Sequence, residues 1–419
     1  MSKQPPTPQT DAGTGDRAGP RPLAFHLASA LSALGGSMVA LPSSLAGKIP
    51  EDTGWGAEAN EFATALADLA ADELLPAAGQ EAVRRLQVML QGIEAYRRHP
   101  YKRNVEDPPV IWQQGSTCLR DYGEVDGASA GGQPVLFVPS LVNRGYVLDI
   151  SARRSMLRWL AARGQRPLLM DWGTPGDAEK GFSLDDYIAG RLEAALDVAT
   201  GLSGGPVPVV GYCLGGDLAL ALALRRQADV STLVLMATPW DFFGGSGVHN
   251  KLFAAVSDSI EAVLGGFGEL PVDILQTFFA SLDPALGLRK FRSFSGLDPD
   301  SEKAEDFVAL EDWLNDGVPL VQDVARECLI RWYRDNAPFK GEWSVAGEVI
   351  DPRNLAVPTL IAAPASDRIV PFESASPLAE LIPGATLISP PSGHIGMVVS
   401  SRAKDGLWQD LLDWLDRDF

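Results

Sequence analysis

The sequence predicts an α/β protein, with a mainly parallel sheet, helices on both of its faces and an inserted cap subdomain. Three observations carry this reading. From Pro134 onward, short β-branched apolar runs alternate with helical patterns, the signature of a parallel sheet covered on both sides. One of these runs, Val207–Val210, leads through Gly211-Tyr212-Cys213-Leu214-Gly215-Gly216 into the helix-forming stretch Asp217–Arg226, so a sharp strand-to-helix turn is expected there. After Trp240 the alternation stops, and residues 241–345 read as an insertion over the carboxyl edge of the sheet, where such folds keep their sites.

In chain order, residues 1–22, rich in Pro, Gly, Thr and Asp, read as a disordered tail. Leu23 to Gly47 then carries no Asp, Glu, Lys or Arg and follows Arg17 and Arg21, which is the pattern of an export signal. Yet Leu23, Leu27, Leu31, Leu34, Met38 and Leu41 fall on one helical stripe, with His26, Ser29 and Ser32 interrupting the other faces. We therefore read an amphipathic helix that docks on the domain or on an apolar surface. Residues 23–110 form a helical N-terminal region, with Phe62, Leu66, Leu69, Leu74 and Leu75 as core positions. Residues 111–240 and 346–419 form the α/β core. Its strands are expected at Val135–Pro139, Arg166–Asp171, Val207–Tyr212, Thr232–Ala237, Thr359–Ala363 and Thr386–Ser389, with helices over Ala152–Arg163 and Leu184–Leu202. The 241–345 insertion is aromatic-rich and helical in stretches such as Val321–Asn336.

Composition narrows the function. A net charge of −19 argues against nucleic acid or anionic membrane as a bulk partner, and outside Leu23–Gly47 no segment is both uncharged and continuously apolar over the ~18 residues a membrane span needs. The three cysteines, Cys118, Cys213 and Cys328, are too widely spaced for a disulfide framework or a zinc site, so no metal is expected and a reducing cytoplasm fits best.

Gly211-x-Cys213-x-Gly215 has the form of a nucleophile elbow with cysteine in the serine position. A cysteine in a Gly-containing turn can equally be a packing residue. A thiol nucleophile also needs a base, and the base an orienting partner. Of the four histidines, His394 alone follows a strand of the core, just after Pro390-Pro391-Ser392-Gly393 (His26, His99 and His249 do not), and Asp367 follows the strand before it. Taken singly, His394 reads as well as a packing residue and Asp367 as a turn or cap residue. Nucleophile, acid and histidine in that order, each just beyond a strand, is the arrangement of the α/β-hydrolase fold. Cys213, Asp367 and His394 are thus the catalytic candidates. The backbone N–H of Leu214, with that of Val142 from the loop after the first listed strand, is the candidate oxyanion hole.

Beyond the elbow, four further stretches follow in order: Phe137-Val138-Pro139-Ser140-Leu141-Val142-Asn143-Arg144-Gly145-Tyr146-Val147-Leu148-Asp149; Asp171-Trp172-Gly173 with Leu184-Asp185-Asp186-Tyr187; Tyr333-Arg334-Asp335-Asn336; and Asp367-Arg368-Ile369-Val370-Pro371 with Ser392-Gly393-His394-Ile395-Gly396. From about Val88 to the C-terminus the chain resembles the polyhydroxyalkanoate synthases, whose lipase-like box carries Cys in place of Ser. Where that family has Pro-Pro-Trp, this chain has Ser140-Leu141 in the neighbourhood. The resemblance implies that Cys213 is acylated by an (R)-3-hydroxyacyl-CoA with release of CoA, that His394 activates the thiol, and that Asp367 helps activate the hydroxyl of the incoming unit. The CoA thioester is substrate, and no cofactor is implied. The implied partners are the growing polyester and its granule surface in the cytoplasm, and a second copy or an accessory subunit, since the Gly393–Gly396 ending is similar to that of the short class. Three functions stay open: a polymerising acyltransferase, a thioesterase or intracellular polyester depolymerase of the same fold, and a non-catalytic granule-associated paralogue.

Overall fold

The computed structural model describes residues 17–45, 61, 64, 71–245 and 248–417. Its contacts form two units, Met1–Lys102 with Asp283–Asn315, and Arg103–Leu282 with Asp316–Phe419. The 241–345 insertion expected from the sequence is therefore divided, because its middle third packs with the N-terminal helices.

In the helical unit, α1 (Leu23–Leu45) and α2 (Ala71–Arg98) join the helices Leu286–Phe294 and Glu302–Asn315. Met89, Ile93 and Tyr96 of α2 bury against Leu288, Phe291 and Phe294, with Ala304 and Val308 completing the cluster. The apolar stripe of α1 packs in part as expected, with Leu23 and Leu34 against the cluster, but the most buried α1 residues are Ala30 and His26, while Leu31 is 56% exposed. Small Ala30 fits the close helix contact and Leu31 does not. Burial pulls the His26 pKa down to about 4, which keeps the ring uncharged in that interface. Leu74 and Leu75 are half-buried on α2, whereas Phe62, Leu66 and Leu69 lie outside the described residues. Arg17 pairs with Asp312 at 2.7 Å, and the Tyr96 hydroxyl donates to the same carboxylate at 2.9 Å. Among the described residues no helix is long and apolar enough to cross a membrane.

The other unit is built on one eight-stranded sheet. Its strands are β1 (Val110–Gln114), β2 (Thr117–Asp121), β3 (Gln133–Val138), β4 (Gln165–Asp171), β5 (Val207–Tyr212), β6 (Val230–Met236), β7 (Thr359–Ala362) and β8 (Thr386–Ile388). Their spatial order is β1-β2-β4-β3-β5-β6-β7-β8. β1 and β2 run antiparallel, and all pairings from β4 to β8 are parallel. All six expected strands form, and β5 and β7 are buried at every position, as strands covered on both faces must be. The β1–β2 hairpin was not expected. β1 opens on only three apolar residues, Val110-Ile111-Trp112, before two glutamines, a run too short to mark a strand, and most of it is exposed.

Helices α3 (Met156–Ala161), α4 (Glu193–Ser203) and α5 (Leu214–Arg225) cover the sheet, and a π-helical turn over Asp186–Leu192 leads into α4. Ser155 caps α3, its hydroxyl accepting from the Arg158 amide at 3.0 Å. Fully buried Asp149 fixes the loop after β3: it accepts from Arg158 at 2.9 Å, from Arg103 at 3.2 Å and from the Tyr122 hydroxyl at 3.1 Å. A buried charge is tolerable only with partners of this kind.

Above the carboxyl edge, α6 (Val248–Phe267) and α7 (Val272–Ser281) share the unit with a π-helical segment, Glu327–Arg334. One side chain clasps the two ends of this region. Asn336, in the left-handed region at φ 59°, donates to Asp241 at 2.8 Å and accepts from the Phe242 amide at 2.9 Å. Asn tolerates that backbone conformation better than most residues. Asn336→Ala loses both bonds and leaves the buried Phe242 amide unpaired, so it is expected to lower stability by about 2 kcal/mol, read as an earlier midpoint in urea denaturation. An unchanged midpoint would show that the clasp carries no stability.

Candidate active site

Cys213 stands between β5 and α5 at φ 57°, ψ −133°, a strained conformation for a residue with a side chain. The surrounding backbone imposes it. The Cys213 amide donates to the Met236 carbonyl at 2.9 Å, and its own carbonyl accepts from the Gly216 amide at 2.8 Å. The helix can start here only because its second and third residues, Gly215 and Gly216, are glycines. A β-carbon on Gly215 would lie 2.2 Å from the Val138 carbonyl, and one on Gly216 would lie 1.8 Å from Thr238 Oγ1. The turn thus presses α5 against the ends of β3 and β6 and leaves Cys213 half-buried at the helix N-terminus, where unpaired amides favour an anion.

The structure brings the three candidate residues together. Two backbone bonds, Ala365 N–H to the Pro390 carbonyl at 3.0 Å and Ser366 N–H to the Ser392 carbonyl at 3.1 Å, tie the loop after β7 to the loop after β8. Asp367 then does two jobs. Its Oδ1 accepts from the amides of Ile369 and Val370 at 2.8 and 2.9 Å, closing the turn, and its Oδ2 lies 2.7 Å from His394 Nδ1. With Nδ1 so engaged, Nε2 is the nitrogen left to exchange a proton with the Cys213 thiol. Tyr212 supports the histidine from below the turn: its hydroxyl donates to the His394 carbonyl at 3.2 Å, and the two rings lie 5.2 Å apart.

Charge follows geometry. Burial works against a charged imidazole, but the negative charge on Cys213 and the hydrogen bond to Asp367 outweigh it and raise the His394 pKa to about 10. Asp217, one turn into α5, is fully buried, and neither carboxylate oxygen has a hydrogen-bond partner among the described residues. Burial first, and then the charge on Cys213, push its pKa well above the usual carboxylate range. Sequence reading missed it, because an Asp in a first helical turn reads as dipole compensation.

Both residues that would supply the oxyanion donors line a single cavity. Leu214 begins α5, and the Val142 amide donates to Ser140 Oγ at 3.2 Å, a long bond that an incoming oxyanion would have to replace. The cavity encloses about 440 Å³, part of it open to solvent, and its remaining walls come from Phe253, Leu275, Phe278, Phe279, Leu282, Leu320, Cys328, Leu329, Tyr333 and Ile369. No charged residue lines it. The other cysteines differ in setting from Cys213: Cys118 lies on β2 with its pKa raised to about 11, and Cys328 is buried in the cavity wall with its pKa raised further, desolvation being the main cause in both. Among the described residues no cluster of His, Cys, Asp and Glu could hold a metal ion.

Comparison with known proteins agrees with this architecture. The family model of the alpha/beta hydrolase fold matches residues 133–400. A poly(3-hydroxyalkanoate) polymerase subunit PhaC from Allochromatium vinosum is 30% identical over 318 residues, which cover 74% of this chain and 89% of that protein. The subunit of the same name from Haloarcula marismortui is 31% identical over 319 residues, covering 73% of this chain and 66% of its own length. The chain thus spans somewhat less than two thirds of that longer relative. A solved structure of a thermophilic esterase from Thermogutta terrifontis superposes over 74% of this chain and 97% of its own, at 18% identity and a TM-score of 0.45.

Gly216→Ala is expected to destabilise the protein by about 1–3 kcal/mol, since Thr238 is rooted to the backbone and cannot move aside. It should also slow alkylation of Cys213 by iodoacetamide. A thermal midpoint and an alkylation rate both equal to wild type would refute the steric account of the elbow.

Proposed function

The chain belongs to the poly(3-hydroxyalkanoate) polymerase family on the alpha/beta-hydrolase fold, and from that premise we propose that it polymerises (R)-3-hydroxyacyl-CoA through a thioester on Cys213. The observation that carries the reading is a thiol nucleophile, paired with a charged-form histidine, at the edge of an apolar cavity. Sulfur suits this task. A thioester donor and a thioester intermediate are close in energy, so the acyl group passes on without large loss, whereas a serine ester would be a deeper sink.

In the first half-reaction the Cys213 thiolate attacks the thioester carbonyl, and the oxygen gains charge against the amides of Leu214 and Val142, each worth about 3 kcal/mol to such a step. The tetrahedral intermediate collapses by expelling the CoA thiolate, which takes the proton held on His394. The histidine is then neutral. In the second half-reaction the hydroxyl of another unit attacks the acyl-enzyme, its proton goes to His394 Nε2, and Cys213 leaves as thiolate with the imidazolium restored. Asp367 holds Nδ1–H throughout and so fixes the ring orientation. Apolar walls disfavour water, the competing acceptor, at this stage. We further propose that the protein works as one subunit of an assembly, as its relatives' names imply for them, in the cytoplasm on the surface of the insoluble polyester it makes.

Two experiments address this reading. Hydroxybutyryl-CoA given to the purified protein should release CoA and yield polymer, with an acyl adduct on Cys213, and Cys213→Ser should lose most of the turnover while keeping the fold. Release of monomeric acid alone would instead identify a hydrolase. The second is a pH profile. Because the His394 pKa is raised, the proton needed by the departing CoA is present at neutral pH and lost as pH climbs through about 10. Asp367→Asn removes one of the interactions that raise it, so the alkaline limb of the CoA-release profile should move to lower pH. A limb that stays in place in that variant would contradict the assigned proton donor.

A further inference from the structure

The cavity beside the nucleophile has a shape and a polarity that select among acyl groups. Leu214 and Val142 form part of its wall, so a carbonyl oxygen held by their amides sets the carbonyl carbon at the cavity edge. The carbon skeleton of the acyl group has to leave that point either into the cavity or back toward solvent. Around the cavity only Cys328 and Tyr333 carry a side-chain polar atom, and the rest of the lining is Phe, Leu, Ile and Val. An alkyl substituent gains by burial there, and a charged or strongly polar one is penalised.

The aromatic wall is unequally braced. Phe253 is 6% exposed and lies between two rings, with Phe278 at 5.1 Å and Tyr333 at 4.7 Å between centroids. Tyr333 in turn meets Phe242 at 4.8 Å. Phe278 stands at the end of this chain of rings, half-buried on α7. It can be truncated without unseating the others. Leu282, just past the end of α7, is also only partly buried and lines the same space.

We propose that this cavity receives the alkyl substituent on C3 of the hydroxyacyl group, and that Phe278 sets the longest substituent it accepts. The inference rests on acylation of Cys213, the reading proposed above. The substrate class is then a 3-hydroxyacyl thioester with an uncharged, unbranched tail, and α7 is the element that fixes the tail length. Cys213 and its partners are untouched by changes at this wall.

The test uses the full chain and 3-hydroxyacyl-CoA thioesters of four, six and eight carbons, reading the rate of adduct formation on Cys213 by mass spectrometry of quenched samples. Phe278→Ala should raise the eight-to-four-carbon rate ratio at least about tenfold, the discrimination that one or two methylenes command in an apolar pocket. Leu282→Trp, which fills space instead of opening it, should lower the same ratio. If Cys213 is acylated by the four-carbon thioester in both variants and neither ratio moves, the tail binds elsewhere and the inference fails alone. If wild-type Cys213 forms no adduct with any of the thioesters, the parent reading fails and takes this inference with it.

Discussion

At the crossing of β5 and α5 the chain has no room for a β-carbon, and the rest of the site is arranged around that fact. Gly215 and Gly216 bring the helix start against the Val138 carbonyl and the Thr238 side chain, and the only way to pass between them is the positive-φ turn at Cys213. Strain at one residue is sustained because the neighbouring strands over-determine it through hydrogen bonds to Met236 and Gly216. In return, the thiol is lifted off the sheet and aligned with the helix N-terminus. Charge stabilisation and access arise from a single local packing constraint.

The acid and the base depend on that turn from the other side. Their loops follow adjacent parallel strands and are joined by main-chain bonds, so the short Asp367–His394 contact does not rely on side-chain packing alone. Asp367 is neither purely structural nor purely chemical, since one oxygen closes its own turn while the other holds the imidazole. Buried Asp217, its pKa raised well above the carboxylate range by desolvation, and the Tyr212 ring against His394 complete the surround of the nucleophile and base.

What the sequence made legible follows from where information is local. Five of the six parallel strands announce themselves as apolar runs because both of their faces are buried, while β8 is a mostly exposed edge strand, and the elbow announces itself because its glycines are sterically compelled. Asp367 and His394 could be picked out by order along the chain, and their separation then comes from the sheet. The β1–β2 hairpin hid because the apolar run of β1, Val110-Ile111-Trp112, is too short to mark a strand. The stripe on α1 was legible in part: Leu23 and Leu34 pack on the cluster, but the most buried positions belong to Ala30 and His26, which a pattern of large apolar residues does not mark. The division of the 241–345 insertion was beyond reach, for nothing near Phe291 or Phe294 in the sequence points to Met89 or Tyr96 as their partners. The cavity is likewise a product of assembly, since its wall draws on residues from Val142 to Ile369.

That division bears on how the chain comes off the ribosome. The helical unit is discontinuous, with residues before Lys102 completed by Asp283–Asn315, and its cluster includes Phe291, Phe294 and Val308. Helices α1 and α2 therefore emerge first and have no finished core to join until about two hundred further residues have been made, at synthesis rates of roughly 5–20 residues per second. For that interval Met89, Ile93 and Tyr96 are exposed on a nascent chain whose remaining sequence is building a separate sheet. Order of synthesis and order of completion run opposite here: the segment translated earliest is among the last to be buried, and its solubility in the meantime depends on the polar faces of its own helices or on chaperones.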